Sequence, residues 1–272
     1  MFNFMKAELF RISKRKYNVG LWLFGFVMCA LVLYIFAGLK VSGYGDGYGG
    51  WEVDRDLSMM FFSLGQIMSI ASILIPLMVN LTALEPYASG AINNNLALGQ
   101  SRIKIYLANA IISFLYILVY MIIMCAILIG VGAIIAPIRT MSFADMMKNF
   151  LIGFAYLLPC LWFYASMVIF FQILTRHRSS AIAISYVAMA IFQPVLLIIM
   201  SKFNWPRKII FLAPSRIVQS IAGMMGSYGL EFLQKATYTE AFMNVNTMLC
   251  IMLGWIALVW AGIYFVGRKR EF

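Results

Sequence analysis

Six stretches of this chain are each long and apolar enough to cross a bilayer, and no other property restricts its fold so tightly. A span needs roughly 20 mainly apolar residues. Gly20–Leu39, Leu57–Leu84, Tyr106–Ala136, Phe150–Leu174, Ala181–Met200 and Thr247–Val266 meet that length. Hydrocarbon offers no water to pair with backbone amides, so each stretch must satisfy its own, which a helix does. The expected fold is therefore all-α, one integral membrane bundle of six transmembrane helices over residues 1–272. The second and third stretches exceed a minimal span and are expected to tilt or to project beyond the bilayer as helix. The first is too long for the apolar core of a signal peptide and no further processing pattern follows it, so it is read as retained. Composition agrees: 63% of residues are apolar and 11% charged, against about a half and a quarter in soluble domains.

Charge sets the expected orientation. The net charge is +11; in a chain of spans this first reflects Lys and Arg retained on the cytoplasmic side, not nucleic acid binding. One set of connections holds Lys6, Arg11, Lys14, Arg15, Lys16, Arg102, Lys104, Arg176, Arg178, Arg268, Lys269 and Arg270 against Glu8, Glu85 and Glu271, a net +9. The other set nets +2. Basic flanks close to span ends weigh most, so both termini are expected in the cytoplasm of a multi-pass membrane protein. The segment "EPYASGAINNNLALGQSRIKI", from Glu85, becomes the first cytoplasmic loop, and "TRHRSS" a very short second one.

Outside, "KVSGYGDGYGGWEVDRD" (Lys40 to Asp56) is rich in Gly and Tyr and locally acidic. The connection 201–246 is long and not uniformly polar. Its "PSRIVQSIAGMM" has a Pro-Ser start and helical spacing of Ile217, Ile221, Met224 and Met225, which predicts short helices at the outer surface, with an irregular loop as the alternative. At the N-terminus (residues 1–19), Phe2, Met5, Leu9 and Ile12 share one helical face. That pattern suits a helix in the cytoplasmic interface with its basic residues near anionic head groups; the alternative is a disordered basic tail.

Missing residue types narrow the chemistry. The one histidine, His177, lies in the Arg-flanked loop, so the chain lacks the several ligands that a catalytic metal site needs. Cys29, Cys125, Cys160 and Cys250 fall in apolar stretches without close pairing, as small packing residues do. No ionisable residue lies centrally in an expected span, which argues against proton coupling but leaves sodium coupling through carbonyls and hydroxyls open. No G-x-x-x-x-G-K-[ST] loop is present, so the chain does not cradle ATP by that motif.

Uncharged polar groups remain inside the spans. In the second, Ser58, Gly65, Ser69, Ser72, Pro76 and Asn80 fall near one line at about 100° per residue. In the third, Asn109, Ser113, Tyr116 and Tyr120 form a comparable stripe, and Gln172 and Gln193 add isolated amides. Such faces serve helix packing through close approach and hydroxyl bonds, or line a route for an amphipathic substrate. An interface between two subunits would do both.

The loop carries the most specific pattern. Pro86 favours a helix start, and "AINNNLALG" would form a short helix ended by Gly99 with an apolar side from Ile92 and Leu96. A bland loop fits the same residues. The pattern E-x3-S-G-x-I-x-N-x-L-x-x-G-x-S-R, read at Glu85, Ser89, Gly90, Ile92, Asn94, Leu96, Gly99, Ser101 and Arg102, resembles the first cytoplasmic loop of ABC-2-type permeases. More narrowly it resembles permease subunits of Gram-positive peptide exporters: lantibiotic-immunity, bacitracin-resistance and phenol-soluble modulin transporters. The resemblance covers nearly the whole chain, from "ELFRISKRKYN" to the basic C-terminal tail.

The resemblance implies a bacterial cell-membrane protein that is not itself an enzyme. Glu85 to Arg102, within the loop 85–104, would hold the coupling helix that docks on a separate ATPase subunit. Residues 1–19 would form the interface helix, and 201–246 outer re-entrant helices. Two permease subunits, identical or paralogous, and two ATPase subunits would work together, with ATP and Mg bound by the ATPase and no cofactor by this chain. The substrate would be an amphipathic peptide. This chain has Pro directly after Glu85, where many members of the resembled family differ. Other readings of the residues are a non-transporting immunity or sensor scaffold, an exporter of another hydrophobic substrate such as a drug or lipid, or a channel or sodium-coupled carrier.

Overall fold

The computed structural model describes residues 2–14, 16–38, 41–43, 51–53, 74–80, 82, 101–135, 143–203, 207–224 and 245–269. Helices dominate them: α1 Phe2–Ser13, α2 Lys16–Gly38, α3 Ile75–Val79, α4 Arg102–Ile135, α5 Phe143–Thr175, α6 Arg178–Phe203, α7 Pro214–Met224 and α8 Val245–Lys269, with a 3-10 helix at Arg207–Leu212. Four of these, α4, α5, α6 and α8, are long and apolar enough to cross a membrane. The described structure is helical, as expected, apart from one small antiparallel ribbon. Its strands, β1 Val41–Gly43 and β2 Trp51–Val53, pair Val41 with Val53, Ser42 with Glu52 and Gly43 with Trp51. Valine and tryptophan favour strands, a preference that the surrounding glycines masked in the sequence.

The helices start and stop where local chemistry dictates. Pro76 sits in the first turn of α3, where its missing N–H costs nothing. Asp145 lies in the first turn of α5, on the side that the helix dipole favours for an anion. Between α5 and α6 the chain reverses within "TRH". Arg176 takes φ 62° and its N–H bonds Gln172 O at 2.9 Å, while His177 O accepts from Ala181 N–H at 3.0 Å. Thr175 Oγ1 lies 2.9 Å from Phe171 O and 3.1 Å from His177 O. The helices α4 and α5 hold 34 and 33 residues, each about 50 Å at 1.5 Å per residue, well beyond a ~30 Å hydrocarbon core.

Helix α5 is the centre of the bundle. It packs against α3, α4, α6, α7 and α8. In its most apolar stretch 61% of residues are buried, against 6% in α6 and 11% in α8; those two turn most of their apolar surface outward. Trp162 of α5 stacks on Trp260 of α8 with centroids 6.0 Å apart and meets the edge of Phe114 of α4 at 5.4 Å. The Trp260 indole N–H donates to Ser166 Oγ at 3.1 Å, so the half-buried ring also satisfies its polar end. Cys125 and Cys160 are buried in this core, whereas Cys250 faces outward.

Candidate functional site

The polar stripe of α4 meets α2 and the residue just beyond α3. Its residues recur at intervals of three and four, which puts them on one helical face. Ser113 is fully buried and its Oγ lies 2.7 Å from Thr82 Oγ1, just beyond α3. Thr82 Oγ1 is also 2.9 Å from Met78 O. Thr82 has one hydroxyl proton, so all contacts are satisfied when it donates to Met78 O and accepts from Ser113. Asn109, one turn earlier, is 1% exposed. Its Nδ2, together with Asn80 Oδ1 and Gln172 Oε1, makes no hydrogen bond among the described residues.

Further along, the stripe meets the elbow between α1 and α2. Tyr116 donates its hydroxyl to Asn18 Oδ1, and Asn18 Nδ2 reaches Ile12 O at 3.5 Å. One amide therefore ties α1 to α4. The Tyr120 hydroxyl reaches Leu21 O at 3.4 Å, and its ring tilts against Trp22 at 5.0 Å. Glycine leaves room opposite: a Cβ on Gly25 would overlap the Tyr120 hydroxyl and the Met124 methyl unless those side-chain ends moved. Helices α2 and α4 thus run side by side in the same direction.

Two further close approaches collect the basic residues at one end. A Cβ on Gly262 would lie 2.8 Å from the Phe170 ring, and one on Gly267 would lie 2.7 Å from the Tyr106 ring. Helix α8 therefore runs parallel to α5 and antiparallel to α4. Arg102, Arg176 and Arg268 then fall at the same end of the bundle. The α1–α2 elbow meets Tyr116, fourteen residues or about 21 Å along α4, so the first turns of α4 continue past the elbow toward that basic end.

At the opposite side of α5 the chain folds back into the bundle. After α6, the 3-10 helix leads to α7, whose spacing-predicted helix forms and buries Ile217, Val218 and Ile221. It packs onto α5 and does not stand off the bundle. Ser215 donates to Gln193 Oε1 at 3.1 Å, and the Trp255 indole N–H donates to Leu212 O at 2.8 Å. This fold-back carries in Arg216, a charged residue that a reading of the spans alone misses. Its guanidinium lies 5.9 Å from the Phe211 ring centroid, and its Nε is buried without a hydrogen bond among the described residues. The signal was the Pro-Ser-Arg start of an amphipathic segment; only its partners show the depth.

Of the sequence-derived candidates, the structure describes Asn80, Ser101, Arg102, Asn109, Ser113, Tyr116 and Tyr120. Ser101 caps the start of α4, its carbonyl accepting from Ile105 N–H at 3.3 Å. Thr82 joins the group although it lies off the Asn80 line. Glu85, Ser89, Gly90, Ile92, Asn94, Leu96 and Gly99 of the loop, and Ser58, Ser69 and Ser72 of the second stretch, lie outside the described residues. No protein-family model and no curated protein matches the chain.

Proposed function

We propose that this chain is the membrane-spanning permease subunit of an ATP-driven ABC-2-type exporter of amphipathic peptides, with six spans and both termini in the cytoplasm. The observation that carries the reading is the Thr82–Ser113 bond. It fastens the two elements that flank the loop 83–101 to each other, so a displacement of the loop moves α3 and α4 as one unit. Arg102, the last residue of the motif, lies at the basic end, where the positive-inside rule would put the cytoplasm. There a coupling helix around Glu85 to Arg102 would meet an ATPase subunit that binds ATP and Mg. Two permease and two ATPase subunits form the working unit.

In this reading ATP binding draws the ATPase subunits together, and the loop transmits the push to α3 and α4. Within one chain the α4 stripe bonds Thr82, just beyond α3, and Asn18 and Leu21 of α2. Rearrangement of those contacts alters the route between subunits. A stripe without charged groups suits a substrate with a large apolar face.

Co-purification of the full chain with an ATPase is the direct test. Substituting Glu85 or Arg102 should lower peptide export while the ATPase still assembles in part. Unchanged export and hydrolysis in both variants would remove the coupling assignment.

A further inference from the structure

The fold-back after α6 carries a guanidinium into the bundle, at a level that three helices define. Phe163 of α5 lies thirteen residues before Arg176, and Trp255 of α8 thirteen before Arg268; their rings are 6.3 Å apart. At 1.5 Å per residue both stand about 20 Å from the basic end. The Trp255 indole bonds Leu212 O. Gln193 of α6, fifteen residues after Arg178 and so about 22 Å along, bonds Ser215. Arg216 follows directly. Its backbone therefore sits about two-thirds of the way across a ~30 Å hydrocarbon core whose first edge lies at the basic end. The opposite edge is about 10 Å further, a distance that a long side chain largely covers when it extends toward the head groups.

At this depth the guanidinium meets a ring and no oxygen. Its carbon lies 5.9 Å from the centroid of the buried Phe211 ring. The ring attracts a cation but offers no acceptor oxygen to its N–H groups. Arg216 Nε is buried and makes no hydrogen bond among the described residues. The described carboxylates stand elsewhere: Glu8 in α1, Glu52 in β2 and Asp145 in the first turn of α5, eighteen residues or about 27 Å before Phe163. Arg216 also occupies the first turn of α7, the end at which the helix dipole favours an anion and not a cation. A charge inside the apolar layer is kept where it is paired. Since the residue as a whole is only half-buried, a group from outside the chain can reach it.

We propose that Arg216 binds one phosphate group, supplied by a phospholipid head group at the bilayer face opposite the basic end. The planar fork of arginine directs parallel N–H groups at two oxygens of a phosphate, and the unpaired Nε is one arm of that fork. The surroundings favour lipid as the source. Helices α6 and α8, which fix the level of the site, bury only 6% and 11% of their most apolar stretches, so acyl chains find apolar surface beside it. The site is independent of the exporter reading, because it requires neither a transported peptide nor an ATPase.

The test uses the full chain in a neutral maltoside detergent, without ATP or partner, and reads hydrogen exchange by mass spectrometry. Phosphatidylglycerol is the probe. Diacylglycerol with the same acyl chains is the phosphate-free control, and inorganic phosphate is the lipid-free control. Phosphatidylglycerol should slow exchange across 207–224, and neither control should. Arg216→Gln should raise the half-saturating lipid concentration for that segment about tenfold. Arg216→Lys keeps the charge but loses the fork, and should raise it about threefold; it also carries the test should the Gln variant fail to fold. Protection by the same lipid at Arg102, Arg176 and Arg268 should be unchanged in both variants.

Equal protection of 207–224 by diacylglycerol overturns the proposal, since the phosphate would then play no part. So does protection that both variants leave unchanged. Protection by inorganic phosphate that matches the lipid overturns the head group as the source.

Discussion

The hydroxyl of Ser215 donates to Gln193 Oε1 at 3.1 Å, and this bond joins the start of α7 to a point ten residues before the end of α6. It marks how far the chain folds back after leaving α6. Replacing Ser215 by Ala leaves an amide oxygen without its partner. The expected loss is about 0.6 kcal/mol, with ~1.7 as the upper range for such bonds in membrane proteins. Thermal unfolding in nanodiscs measures it, and hydrogen exchange should rise across 207–224 before it rises in α5.

Gly25 packs where a methyl group would overlap Tyr120 and Met124. Gly25→Ala should destabilise the α2–α4 contact by about 1–3 kcal/mol, the range for overpacked sites. Adding Tyr120→Phe removes the overlapping hydroxyl and should recover part of the loss. A double-mutant cycle on unfolding free energy reads the coupling, and strict additivity would contradict the contact.

Thr82 and Ser113 provide the most direct link between structure and the proposed mechanism. Thr82→Val keeps the shape and removes the hydroxyl bridge. It should cost about 0.6 kcal/mol in stability. On the exporter reading it should also lower peptide exported per ATP hydrolysed by the reconstituted complex. Export and hydrolysis falling in equal proportion would leave the bridge a purely structural role.

Arg176 adopts left-handed backbone at φ 62°, a conformation in which a Cβ crowds the following carbonyl. Gly or Asn should be accepted there, and Val should be worst, because branching at Cβ adds to the crowding. The gap between Gly and Val is expected at about 1–2 kcal/mol. Thermal unfolding of the three variants orders them; a Val variant equal to Gly would exclude the left-handed turn.

The sequence made the long helices legible because bilayer crossing requires about 20 apolar residues in succession. Helices α4, α5, α6 and α8 overlap the expected third to sixth stretches, and α2 overlaps the first. The amphipathic spacing of the first residues and of Pro214 onward likewise gave α1 and α7. Local chemistry also selected Asn109, Ser113, Tyr116 and Tyr120 as one face of α4.

Hydropathy did not distinguish α5 from α6. Lipid and protein interior are both apolar, so a buried helix and an outward-facing one have similar sequences; which surfaces pack is decided by shape. The glycine–ring contacts at Gly25, Gly262 and Gly267 and the Thr82–Ser113 bridge depend on residues distant in the chain. So does the return of α7 to α5, which carries Arg216 inward. The sequence by itself determined that the chain is a set of apolar helices with one strongly basic end. Only tertiary structure decided the central helix, the partners of the polar stripe and the depth of the fold-back, because those follow from complementary surfaces that no single segment contains.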